Sequence, residues 1–116
     1  MNEFMTEREL TRLFLEALDA RDFEAVRALA SEDVDLHRRD GPTLHGHGGL
    51  EKVVQAAAEM DLLLVRRGAE QVGNGSDTVR VDVPVRVIVR KSEMPGTARF
   101  QVRDGRVAAY GVESAV

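Results

Sequence analysis

VRVDVPVRVIV, residues 79–89, is the stretch that decides the fold. Val79, Val81, Val83, Val85, Val87 and Val89 alternate with Arg80, Asp82, Pro84, Arg86 and Ile88, and period-two alternation of this kind belongs to a strand with one face buried. Pro84 removes a ladder donor, so the strand must lie at an edge, carry a bulge or bend at that residue. Working outward, Met94-Pro95-Gly96 predicts a turn, Thr97 to Arg103 a strand, Asp104-Gly105 a tight turn and Arg106 to Glu113 a last strand. On the other side, Leu62 to Gln71 reads as one long strand that turns through residues 73–77 into the valine strand.

The first half of the chain changes period. Leu10, Leu13, Phe14, Ala17 and Leu18 recur at helical spacing from Glu7 to Ala20, with Thr6 and Glu9 placed as a capping box. Asp22 is the expected N-cap of a second, short helix carrying Phe23, Val26, Leu29 and Ala30 on one face. A short strand over Asp33–Arg38 follows, then a Gly/Pro/His turn. A third helix is expected from Gly49 or Leu50 to Met60. Helices followed by antiparallel strands argue an α+β fold, with three N-terminal helices packed on one side of a curved, mainly antiparallel sheet. Residues 1–116 are expected to form a single domain, with residues 1–5 flexible.

Composition narrows the chemistry. The 116 residues include no cysteine, which excludes disulfides, cysteine-based metal sites and thiol catalysis. Lys and Arg number 16 against 20 Asp and Glu, a net charge of −4, and no basic tract is interleaved with the few aromatic residues. Nucleic acid is therefore not an expected partner. No stretch is long and apolar enough for a transmembrane helix, and the mixed, acidic start does not resemble a signal peptide, so a cytoplasmic protein without membrane association is expected.

Three segments carry a resemblance: FLEALDARDFEAVRALASEDVDLH (residues 14–37), LHGHGGLEKVV (residues 44–54) and RFQVRDGRVAAYGV (residues 99–112). In order and spacing they resemble the nuclear transport factor 2-like (NTF2-like), or SnoaL-like, superfamily. The resemblance implies a cone-shaped α+β fold around an apolar pocket, and it covers almost the whole chain. The superfamily holds isomerases, dehydratases, cyclases, epoxide hydrolases and noncatalytic members, so the fold does not choose among functions. Matching the ketosteroid isomerase branch puts Phe14 where a tyrosine donor belongs, His37 near the general base with Asp40 three residues later, and Ala98 near the second acid. The oxyanion-stabilising pair is missing, and steroid isomerisation is not expected.

His37, His45 and His47 cluster around the turn. Imidazole titrates near neutrality, so His37 is a candidate general base, with Asp40 orienting it or acting as base itself. His45 and His47, with Asp35 or Asp40, lack a characteristic third-ligand spacing, and neither a metal nor another cofactor is expected. Arg80 and Asp82 project from one strand face and are candidate ligand-binding groups with Phe14, although the Arg80, Asp82, Arg86 face also suits solvent or a second subunit. Three functions stay open: binding of a small apolar ligand, lyase, isomerase or hydrolase chemistry on a small hydrophobic substrate with His37 or Asp40 as base, and a structural or interaction homodimer without ligand. A homodimer through the outer sheet face is the expected assembly.

Overall fold

The computed structural model describes residues 5–38 and 41–114. Asp40 and residues 1–4 lie outside the described residues. The elements run α1 (Glu7–Asp19), α2 (Phe23–Leu29), β1 (Ala30–His37), β2 (Leu44–His45), α3 (Gly46–Glu59), β3 (Leu62–Arg66), β4 (Gln71–Asn74), β5 (Val79–Val89), β6 (Ser92–Arg103) and β7 (Arg106–Ser114).

Both predicted helix starts are present. The Thr6 hydroxyl accepts from the Glu9 amide while the Glu9 carboxylate accepts from the Thr6 amide, and Asp22 accepts from the Ala25 amide. These bonds satisfy donors that the first helical turn leaves orphaned. One face of α1 then buries Leu10, Phe14, Leu15 and Leu18. They pack on Val81, Val83, Val85 and Val87 of β5 and on Phe100 and Val102 of β6, in a continuous aliphatic and aromatic core.

The strand order is β2-β1-β7-β6-β5-β3, with β4 also paired to β5. Among the described residues, five of the six strand pairings are antiparallel and the pairing of β1 with β7 is parallel, so the sheet is mixed. The expected curved cone has to be corrected: the sheet is open, with two ends that do not pair, and it is neither curved into nor closed as a cone. The reason is visible at its edges. β2 has two residues and β3 five, and two of the outward groups of β3 are occupied by α1 and the turn after it. Arg21 donates to the Leu62 carbonyl (2.7 Å) and the Leu64 amide donates to Asp19 (3.2 Å). An edge whose donors and acceptors are covered recruits no further strand.

Pro84 explains a second difference. The expected continuous strand over 62–71 is broken into β3 and β4, which pair with Val85–Val89 and Val79–Asp82 respectively. The Pro84 carbonyl accepts from the Arg67 amide at 3.0 Å, so Pro84 turns its backbone toward the break, where a missing donor costs no ladder bond. Pairs alternate between bonded and non-bonded along an antiparallel ladder. Pro95, opposite Arg86, is therefore also in a non-bonded pair with β5 and sits inside β6. The turn expected at Met94-Pro95-Gly96 lies instead at Arg90-Lys91, where Arg90 adopts φ 57°.

Asp19 couples this edge to pH. Burial raises its carboxyl above the ordinary range, opposed by the Leu64 amide and the Arg21 charge. A folded-state value above the unfolded one stabilises the fold below the unfolded value, and that contribution is lost as pH rises through the folded value. Asp19→Asn keeps an acceptor for Leu64 without the charge. Its thermal midpoint is expected to match or exceed the parent's at pH 7, with a weaker acid-side pH dependence. A lower midpoint at both pH 4 and pH 7 would show the carboxylate to be stabilising.

Candidate functional site

Register sorts the candidate residues onto the two faces of the sheet. On the helix-covered face, Val81, Phe100, Tyr110 and Leu36 form one cross-strand row and are all buried. Phe14 of α1 meets Phe100 edge-on at 5.5 Å and Tyr110 at 5.0 Å, and Phe100 lies 5.2 Å from Tyr110. Tyr110 thus shares the Phe100 side of the sheet. Burial, with the negative charge of Asp19 added, holds its hydroxyl above the ordinary phenol range. Phe14 and Ala98, both fully buried, carry no proton donor.

On the opposite face two adjacent rows meet. One runs Arg80, Gln101, Ala109, Asp35, His45, and the other Asp82, Arg99, Gly111, His37. Along β7 the outward residues are Ala109 and Gly111, with larger side chains on β1 and β6 on either side. Neighbouring strands lie about 4.8 Å apart, so the β1 and β6 walls stand roughly 10 Å from each other. The result is a trough of about 590 Å³ whose lining includes His37, Arg38, Arg80, Arg99, Gln101, Ala109, Gly111 and Glu113. Gly111 suits the close parallel neighbour, because a Cβ would stand 3.1 Å from the His37 Cβ and 3.3 Å from its carbonyl oxygen, and β1 would have to give by a few tenths of an ångström.

The trough is polar at its rim. Arg99 pairs with Glu113 at 2.9 Å, Arg38 donates to the Pro42 carbonyl, and the His37 Nδ1 contacts the Thr43 hydroxyl at 3.3 Å. Arg80 approaches Asp82 only to 3.8 Å, and the other Asp82 oxygen is buried without a hydrogen-bond partner. Of the candidates that the sequence offers, His37 and Arg80 are brought together at the trough. Asp82 adjoins them in the Arg99 row, Phe14 lies on the other side of the sheet, and Asp40 is outside the described residues. His45 bonds Asp35 at 2.7 Å, and the His47 Nε2 is buried without a partner. Among the described residues no group of three or more His, Asp or Glu is placed to hold a metal. No helix among them is long and apolar enough to cross a membrane.

Arg38, Arg99, Gln101, Ala109 and Gly111 do not stand out in the sequence. The alternation in Arg99-Phe100-Gln101 marks an outward pair, but the small residues of β7 become a trough floor only once β1 is placed parallel beside them.

A SnoaL-like domain model matches residues 11–110. The chain belongs to this SnoaL-like domain family. Solved structures share the SnoaL-like, NTF2-like α+β architecture at low identity. An NTF2-like protein of unknown function from Cytophaga hutchinsonii superposes with a TM-score of 0.75 at 16% identity, over 98% of this chain and 94% of that one. A protein described as a candidate polyketide cyclase from Sinorhizobium meliloti gives 0.73 at 19%, over 90% and 93%. The Anabaena orange carotenoid protein, in a structure binding canthaxanthin, gives 0.80 at 16%, over 97% of this chain and 37% of that one. At these identities the likeness establishes the SnoaL-like fold alone. No curated protein matches the sequence.

Proposed function

We propose that this SnoaL-like protein binds a small organic molecule in the outer-face trough. The observation that carries the reading is the trough itself: about 590 Å³, with a floor of Ala109 and Gly111 and convergent polar groups from four strands, His37 of β1, Arg80 of β5, Arg99 and Gln101 of β6 and Glu113 of β7. Ligand sites of 300–1,000 Å³ that combine apolar surface with a few placed polar groups are the ordinary form of small-molecule recognition. The helix-covered face is instead filled, at its centre, by Phe14, Phe100 and Tyr110. A second hollow of about 200 Å³ between α1 and the β3–β4 break is small, and Glu70 within it is taken up by Arg8 and Arg66. In this reading Arg80 and His37 are ligand contacts. His37 also supplies the group that would accept a proton if the ligand is a substrate.

Amide chemical-shift mapping against a small-molecule library tests the site. Perturbations should concentrate at residues 99–101 and 109–112 and be lost in Ala109→Leu, which fills the floor. Perturbations confined to α1 and α2 would overturn the assignment.

Self-association through the same face has its own support. Leu63 and Val65 project from the outer side of β3 opposite Ile88 and Arg86, and are 40% and 36% exposed. Light scattering that finds only monomer across the working concentration range would reject this assembly.

A further inference from the structure

The trough is charged against the trend of the chain. The protein carries a net charge of −4, yet among the described residues Arg38, Arg80, Arg99 and His37 line the trough with Glu113 as the carboxylate in that lining, while Asp35, opposite Ala109, is bonded to His45 at 2.7 Å and Asp82 adjoins Arg80 at 3.8 Å. Glu113 is already spent on Arg99 at 2.9 Å. Arg38 uses its Nε on the Pro42 carbonyl. The Arg80 guanidinium donates no hydrogen bond to any described residue, and its 3.8 Å approach to Asp82 is too long for one. A guanidinium carries five N–H donors in a planar fork that matches a carboxylate or sulfonate. Among the described residues, the Arg38 and Arg80 guanidiniums therefore have no carboxylate within hydrogen-bond distance, on either side of a floor that an apolar ring can cover.

We infer that the trough is selective for a small organic acid, with its apolar body over Ala109 and Gly111 and its anionic group on Arg80. The inference rests on the trough being the ligand site, and it adds the charge of the ligand and the residue that reads it. Arg80 and Gln101 face each other directly across β5 and β6, so the acid group would find an ionic and a neutral donor side by side. Attraction to two partly exposed cations is screened by salt, which makes ionic strength a readout that apolar contact alone would not share.

Two fluorescent probes with the same rings separate the contributions: 8-anilinonaphthalene-1-sulfonate, an anion, and N-phenyl-1-naphthylamine, which is neutral. The anion should bind at least about tenfold more tightly, as expected of one charge-assisted contact. That advantage should shrink between about 0.01 M and about 0.5 M salt. Arg80→Gln should remove most of it while leaving the neutral probe within about twofold, and Lys91→Gln, at the exposed β5–β6 turn, should change neither. Equal affinity for both probes, with both lost in Ala109→Leu, would overturn the acid selectivity and keep the trough as a site. Binding of both probes that survives Ala109→Leu and Gln101→Trp, or no binding at all, would overturn the trough reading and the selectivity with it. Thermal unfolding of each variant distinguishes lost binding from lost fold.

Discussion

Phe14→Ala is expected to cost about 3–5 kcal/mol of folding free energy, the range for emptying a fully buried phenylalanine site. Phe14 is 0% exposed and touches both other aromatic rings of the core, Phe100 and Tyr110. Deleting it removes the apolar transfer term, leaves a cavity, and breaks two aromatic contacts worth about 0.5–1.5 kcal/mol each beyond their buried area. For a chain of this length the thermal midpoint should fall by roughly 10–25 °C. Phe14→Leu, which retains most of the volume, should lose clearly less. A midpoint shift below about 3 °C for the alanine variant would mean that the three-ring cluster is not the packed centre described here. The consequence reaches the other face, because Phe100 and Tyr110 also line the trough. Loosening their side chains loosens its floor, so ligand affinity should weaken even though Phe14 lies on the far side of the sheet.

The two halves of the chain are legible to different depths. The valine row of β5 and the caps at Thr6 and Asp22 are local signals, and local signals survive folding unchanged. The turn at Arg90-Lys91 is hidden because it carries neither glycine nor asparagine, while Met94-Pro95-Gly96 carries turn residues without turning. Pro95 is tolerated inside β6 because of its place in the ladder, which depends on its partner strand. The candidate site is less readable for the same reason. His37 and Arg80 are each visible as chemical residues, but grouping Phe14 with Arg80 requires knowing which side of the sheet each occupies. Asp82, expected as a ligand group, stands instead beside the trough, with one oxygen buried and unpartnered. The curved cone implied by family resemblance fails at the sheet edges, where Asp19 and Arg21 occupy two of the groups of β3 that a further strand would have used.

Gly96→Ala is the most informative small change. A Cβ at this position would stand 2.6 Å from the Glu113 carbonyl oxygen and 2.8 Å from a Val87 methyl carbon. The first neighbour is backbone, so it cannot rotate away as a flexible side chain would. Either β7 separates from β6 at its end or Val87 is pushed out of the core. Overpacking of this kind costs about 1–3 kcal/mol and occasionally more, and no gain in intrinsic strand propensity approaches that. The displacement should be directional. Glu113 belongs to the segment that must move, and its carboxylate holds Arg99 at 2.9 Å in the trough wall. The variant should therefore lose stability and also shift amide resonances at Arg99 and Gly111, while those of α3 stay in place. Stability within about 0.5 kcal/mol of the parent would show that β7 can draw back without strain. The tight β6–β7 contact would then not be what positions Glu113 and Arg99 over the trough floor.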